Sequence, residues 1–211
     1  MHYPFNFDQA QIERIPWNRG KLTGQKPPLQ PKHVWAIRTR LQLARKVRDL
    51  ALFNLAVDSK LCGCDLVRLR TEEIAPLRQC VDRATIRQRK TGLPVKFELT
   101  EITRQAIEQY LYSFDLPNNG FLFRSRRGNS HHLSTRQYSR LVRKWISSIG
   151  LDPALYGTHS LRRTKATLIY KRTGNLRAVQ LLLGHTRIES TVRYLGVEID
   201  DALEIAEKID I

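Results

Sequence analysis

Five side chains in this sequence are of types that act on an anionic centre. His159 and Arg162 lie in one short run, His159-Ser160-Leu161-Arg162, and 23 residues further on His185 closes Leu183-Gly184-His185. Tyr194 follows nine residues after His185, and Lys90 lies upstream in Lys90-Thr91-Gly92. A deprotonated phenol is a nucleophile, and an imidazole moves protons near neutral pH. Guanidinium and ammonium groups give charge-assisted hydrogen bonds to an oxyanion. Each residue also has an ordinary structural use: His159 capping a helix, Arg162 on the surface, Tyr194 in a core, Lys90 in an exposed turn. Their order and joint spacing are what single them out.

The elements around them follow from periodicity and breakers. Residues 1–31 carry Pro16, Gly20, Gly24, Pro27, Pro28 and Pro31, so they read as a turn-rich basic arm. It lies along a phosphate backbone or drapes over its own domain. Val34, Ile37 and Leu41, then Val47 through Ala56, predict two helices ending near Asp58. Leu61 to Leu69 reads as a short helix, and Arg70 to Ile74 as a connector. Ala84, Ile86 and Gln88 alternate with polar residues, as do Val95, Phe97 and Leu99, with Gly92 between them; this is a β-hairpin. Thr100 is the expected N-cap of a helix that buries Ile102, Ala106, Ile107 and Tyr110. Ser134 and Gln137 fit a capping box ahead of the stripe Tyr138, Leu141, Val142, Trp145 and Ile149. Further helices are expected over 160–171, from Asn175 to Leu183 with Gly184 as the stop, up to Tyr194, and over 200–208. The fold class is α+β, mainly α, with one small antiparallel sheet. Its divisions are an arm over 1–31, a domain over 32–197 and an acidic C-terminal helix or tail over 198–211.

Charge points to the partner. The chain has 211 residues, with 36 Lys and Arg against 20 Asp and Glu, a net charge of +16. At 41% hydrophobic it can fill a core, so it is a globular chain rather than a disordered polycation. No apolar run reaches membrane-spanning length and Met1-His2-Tyr3-Pro4 does not open a basic-then-apolar segment, so neither membrane spanning nor secretion by a signal peptide is expected. Three cysteines do not make a disulfide framework and fit a reducing compartment. Basic residues crowd 32–46, 124–144 and 162–177, which favours a groove for nucleic acid over scattered solvated faces.

The His-x-x-Arg run, the Leu-Gly-His segment, the tyrosine nine residues later and the hairpin lysine together resemble the tyrosine recombinase (phage integrase) family. The likeness covers about residues 32–211, and Asp58 to Ile74 is similar to the family's first box. It implies a catalytic domain that recombines or integrates duplex DNA through a 3′-phosphotyrosine. Tyr194 would be the nucleophile and Arg162 the cation on the phosphate. His159 would take the tyrosine proton or hold the phosphate, His185 would hydrogen-bond a phosphate oxygen, and Lys90 would protonate the leaving 5′-oxygen. Cofactors are expected to be none, metal and small molecules included, because the cations are side chains. On the DNA itself the expectation names Arg89 and Lys96 of the hairpin, Arg126, Arg127, Arg136 and Arg140 further on, and Arg163 and Lys165 beside the His-x-x-Arg run. The protein is expected in the cytoplasm, on the nucleoid.

Two departures qualify the likeness. The family's first box carries an arginine where this chain has Cys62, and a mostly neutral thiol cannot give two charge-assisted bonds to a phosphate. By analogy with losing one oxyanion donor, the expected penalty is on the order of 10²–10³ in rate. Lys60 or Arg68 filling the gap, a non-catalytic module that occupies recombination sites or regulates a partner recombinase, and an isolated Arg-to-Cys change remain open alternatives. So does a metal site of Cys62, Cys64 and Cys80 with His131 or His132. The second departure is the short stretch ahead of the domain, where the family has a DNA-clamping helical domain; site choice would rest on this domain alone or on a partner. Beyond Tyr194, the stripe Ile199, Ala202, Leu203, Ala206 and Ile209 packs either into a neighbouring copy on DNA or back onto its own domain.

Overall fold

Every residue from Leu50 to Leu61 is buried, the longest such stretch among the described residues, and all but its last two lie in helix α2 (Val47–Ser59). A helix apolar around its whole circumference must be wrapped by other elements. In the computed structural model, which describes residues 25–125, 131–196 and 207, those wrappings are α1 (Pro31–Leu43), α5 (Glu101–Ser113), α7 (Thr158–Thr173) and strand β2 (Pro94–Glu98). The expected hairpin is present: β1 (Arg83–Arg87) pairs antiparallel with β2, Ala84 opposite Phe97 and Ile86 opposite Val95. Ala84, Ile86, Val95 and Phe97 are buried and the intervening residues are not, the alternation of a sheet packed on one face.

Elsewhere the chain departs from expectation in small, explicable ways. The short helix expected over 61–69 contracts to α3 (Gly63–Leu66), and the connector at 70–74 contains a helical turn, α4 (Thr71–Ile74). Thr100 stands at the N-cap of α5, but its hydroxyl does not cap; it donates to Asp58 Oδ2 at 2.5 Å. Helix α6 (Thr135–Ser148) is capped as expected, Ser134 Oγ accepting from the Gln137 amide at 3.1 Å. Helix α7 starts two residues before its expected beginning because the Ser160 hydroxyl accepts from the Gly157 amide at 3.1 Å, closing the first turn over His159. Asn175 caps α8 (Leu176–Leu183), and Gly184 ends it with φ +66°. Helix α9 (Ile188–Leu195) carries Tyr194. The helix expected over 200–208 lies outside the described residues apart from Glu207, as do Arg126, Arg127 and most of the N-terminal arm.

The described end of that arm is a strap. Leu29 is buried in the main core, and its amide donates to Thr164 Oγ1 at 3.0 Å. Lys26 Nζ donates to the Ala154 and Tyr156 carbonyls at 2.9 and 3.0 Å. The hydrophobic interior has two parts. The main core joins α1, α2, the hairpin, α5 and α6, while Ala166, Val179, Leu183 and Leu195 form a small separate core under α7, α8 and α9.

Candidate active site

The small core sets where the reactive side chains meet. Helix α7 delivers His159 and Arg162 from its first two turns, the end of α8 delivers His185, α9 delivers Tyr194, and the hairpin turn delivers Lys90. Together with Cys62, Asp65, Gln88 and Ser190, all five line one cleft of about 390 Å³. Residues spread over more than a hundred positions of the chain are thus brought to one place.

Its joint is at Gly184. A Cβ there would stand 2.3 Å from Val95 Cγ2 and 3.0 Å from Gln88 Nε2, so the end of α8 sits directly against the hairpin. The positive φ and the missing side chain are both needed at this one residue. The Leu183 carbonyl just before it accepts from Arg162 Nη2 at 2.9 Å and from Gln88 Nε2 at 3.1 Å. One buried helix-end carbonyl therefore ties the arginine of α7 to the hairpin that carries Lys90. Thr91 Oγ1 also donates to Gln88 Oε1, and Asp65 Oδ1 accepts from the Arg89 amide at 3.0 Å, which fastens the turn to α3.

Around Tyr194 the contacts are aromatic and cationic. Its ring meets the His185 ring edge-on at 5.3 Å, and the guanidinium groups of Arg162 and Arg163 lie 5.8 and 5.5 Å from its centroid. The Tyr194 hydroxyl is buried without a hydrogen-bond partner among the described residues. Burial pushes its pKa up to about 12, against the pull of both guanidiniums. His185 is pushed down to about 4, by burial first and then by Arg162 and Lys90, so it is neutral at pH 7. Its Nδ1 lies 3.1 Å from Thr191 Oγ1; with that hydroxyl donating, Nε2–H is left as a donor. His159 is exposed, and its pKa is also lowered, by desolvation and by Arg162, Arg163 and Lys90. Arg162 is 8% exposed, and its Nε has no partner, so the fixed guanidinium retains donor capacity.

The phage integrase family model matches residues 29–199. The chain belongs to the phage integrase family. Among its relatives, the probable integrase/recombinase YoeC of Bacillus subtilis (strain 168) is 30% identical over 167 residues, 79% of this chain and 87% of that one. Tyrosine recombinase XerC of Brucella melitensis biotype 1 is 33% identical over 166 residues, covering 75% of this chain and 51% of the relative. This family member thus spans about half the length of that XerC. In fold it is similar to the XerA recombinase crystal structure (TM-score 0.72, 18% identity, 90% of this chain and 66% of that one). It is likewise similar to XerH bound to its difH substrate (TM-score 0.67, 19% identity, 90% of this chain and 56% of that one).

Among the family member's expected DNA contacts, Arg89 and Lys96 are exposed on the hairpin, and Arg136 and Arg140 are exposed on α6. Two others need correction, because their side chains are engaged inside the protein. Arg163 is 6% exposed and donates to the Lys26 carbonyl at 2.8 Å and the Leu195 carbonyl at 3.4 Å. Lys165 pairs with Asp58 at 2.9 Å and Glu98 at 2.7 Å. Lys60 does not fill the gap at Cys62 either: it is 1% exposed and its Nζ is held by Glu98 and the Asp58 carbonyl. Arg68 lines a different recess, with Arg87 and Arg89. Among the described residues, no three His, Cys, Asp or Glu side chains gather as a metal site requires. Arg163, expected on DNA, instead packs against the Tyr194 ring, and Gln88 and Thr191 shape the site without having been assigned a part in it. Only Gln88 left a trace in the sequence, as a polar residue on the inward side of a strand.

Proposed function

We propose that this domain cuts and rejoins duplex DNA at specific sites by transient attachment of the cut end to Tyr194, serving recombination or integration. The observation that carries the reading is that a phenol with no hydrogen-bond partner, two imidazoles, a fixed guanidinium and an ammonium line a single cleft.

The chemistry follows from those groups. Tyr194 Oη attacks phosphorus while its proton passes to His159, whose lowered pKa keeps it neutral and able to accept. The bond from phosphorus to the 5′-oxygen breaks, and Lys90 gives that oxygen its proton. One phosphodiester is exchanged for another, so rejoining is the reverse step and needs no outside energy source. Arg162 and the His185 Nε2–H stabilise the charge that builds on the non-bridging oxygens. Cys62 supplies no cation, so turnover is slow by the standard of a site with two arginines. Arg89, Lys96, Arg136 and Arg140, with Arg126 and Arg127 beyond the described residues, carry the flanking DNA backbone.

The test is a nicked duplex that traps the cut end. Purified protein should yield an adduct that survives SDS, Tyr194→Phe should abolish it, and Cys62→Arg should raise its yield on the order of 10²-fold. Cys62 also favours a second reading, a DNA-binding module without chemistry. Salt-steep DNA binding with no adduct in either the wild type or Cys62→Arg would establish that reading and refute the first.

A further inference from the structure

A second basic pocket lies at the far end of α2 from the cleft. It is about 500 Å³ in volume and is lined by Arg45, Lys46, Arg48, Arg124, Arg140 and Lys144, with Asp49 as its one acid. The Asp49 carboxylate is already engaged, accepting from Trp145 Nε1 at 3.3 Å. Among the described residues none of the six cations forms an ion pair with a carboxylate. They come from three separate parts of the chain, so they are not merely one solvated helix face.

The local backbone strengthens the field. Arg45 is held at φ +49° in the link between α1 and α2, a conformation that costs a non-glycine residue. The link brings Arg45 and Lys46 to the start of α2, where no side chain caps the helix and the first-turn amides add partial positive charge. Arg48 is fixed by donating to the Arg124 carbonyl at 2.8 Å. Packed like charges around a concavity repel one another unless an anion lies among them.

Position identifies that anion. Cys62, on the cleft wall, follows the C-terminal end of α2, and the pocket sits at its N-terminal end. The 13 residues of α2 span about 20 Å. Helix α6 connects the two places: Gln137, Arg140 and Lys144 line the pocket, while Ser139 lines a recess shared with His159 and Tyr194. At 3.4 Å per nucleotide along one strand, 20 Å corresponds to about six nucleotides.

We infer that this pocket is a second phosphate-binding site, gripping the DNA backbone about six nucleotides from the scissile phosphate. The inference rests on the reading of the cleft given above. It ties the protein to flanking duplex through contacts that carry no base sequence, so it sets affinity and register.

The experiment uses labelled nicked duplexes whose arm on the pocket side is shortened stepwise, with affinity measured against salt. The exposed cations are removed together as Arg45→Ala/Lys46→Ala/Lys144→Ala. On a long arm the triple variant should lower the slope of log K against log salt by about two to three, at about 0.9 per phosphate contact. Once the arm stops short of the sixth nucleotide, wild type and variant should bind alike. An unchanged slope on the long arm, or an equal loss on long and short arms, overturns the inference. Tripolyphosphate bound by the wild type and not by the variant, with DNA affinity indifferent to arm length, would assign the pocket to a free polyanion and likewise overturn it. Wild type that forms the covalent adduct while failing the arm-length test refutes this inference alone. Wild type that neither binds nor reacts refutes the function of the cleft as well.

Discussion

Gly184→Ala tests how the cleft is assembled, because one added carbon strikes its joint. Two costs add. An L side chain at φ +66° costs about 1–2 kcal/mol. The new Cβ would also lie 2.3 Å from Val95 Cγ2, a distance real Cβ atoms do not adopt, so α8 and the hairpin must separate. Overpacking of that kind costs about 1–3 kcal/mol. Their sum, about 2–5 kcal/mol, lowers Tm by roughly 4–20 °C in a domain of this size. Separation also breaks the shared Leu183 carbonyl, which holds Arg162 and Gln88 together, and moves Lys90 away from His185. The rate of covalent adduct formation should therefore fall even at temperatures where the variant remains folded. Val95→Ala removes the struck atom, so the double variant Gly184→Ala/Val95→Ala should recover the overpacking part and keep the φ penalty. A double-mutant cycle by thermal and chemical denaturation measures that coupling. A Gly184→Ala protein as stable and as reactive as wild type, or a cycle with no coupling between the two sites, would refute the account of the joint.

Two further expectations use groups buried beside the cleft. Arg163→Met removes a guanidinium from the Tyr194 ring; at about 1–2 kcal/mol for a desolvated cation–π contact, adduct formation should slow about five- to thirtyfold. Because Arg163 also pulls the Tyr194 pKa down, the pH–rate curve should shift to higher pH in Arg163→Met and return in Arg163→Lys; an unshifted curve would sink the assignment. Asp58→Asn breaks the buried pair with Lys165 and weakens the acceptor for Thr100 and Thr103, costing about 3–5 kcal/mol at pH 7. Burial alone would raise the Asp58 pKa, but Lys165 and the two hydroxyls hold it below its ordinary 3.8. Its contribution is therefore complete above about pH 4 and is lost as pH falls through the lowered folded value. Acid unfolding followed by circular dichroism should show a shallower pH dependence in Asp58→Asn; an identical acid limb would show that the carboxylate does not matter.

How much of this was legible depends on the distance over which each feature is encoded. Alternation over Ala84–Gln88 and Val95–Leu99 is local, and the hairpin stands where it predicts. The spacing from His159 to Tyr194 spans three helices closed by caps visible in the sequence, Asn175 and Gly184 among them, so the meeting of those residues could be anticipated. Charge was another matter. The cluster at 162–177 reads as part of a groove for nucleic acid, yet Arg163 and Lys165 are turned inward. Their partners lie 137 and 107 residues away, at the Lys26 carbonyl and Asp58, and no local pattern distinguishes a cation that will meet a buried acid from one that will meet DNA. The same limit hid the pocket at Arg45, whose cations are adjacent only after α1, α2, α5 and α6 have packed.

The cleft's charge balance explains why Cys62 is the informative position. At pH 7 His185 is neutral, its pKa near 4, and His159 is held low as well, so the fixed positive charges lining the cleft are Arg162 and Lys90. Lys90 gives up its proton in the proposed scheme, which leaves Arg162 to face the transition-state charge. Arg163 cannot substitute, because its Nη atoms are taken by the carbonyls of Lys26 and Leu195; it acts on the Tyr194 ring and not on the phosphate. Lys60, the other nearby cation, is neutralised by Glu98. Arg163 and Lys60 are thus both committed elsewhere, and Arg68 lines a different recess. In the proposed scheme the gap at Cys62 is therefore a deficit in the site, and placing a guanidinium at that position is the substitution with the most to gain.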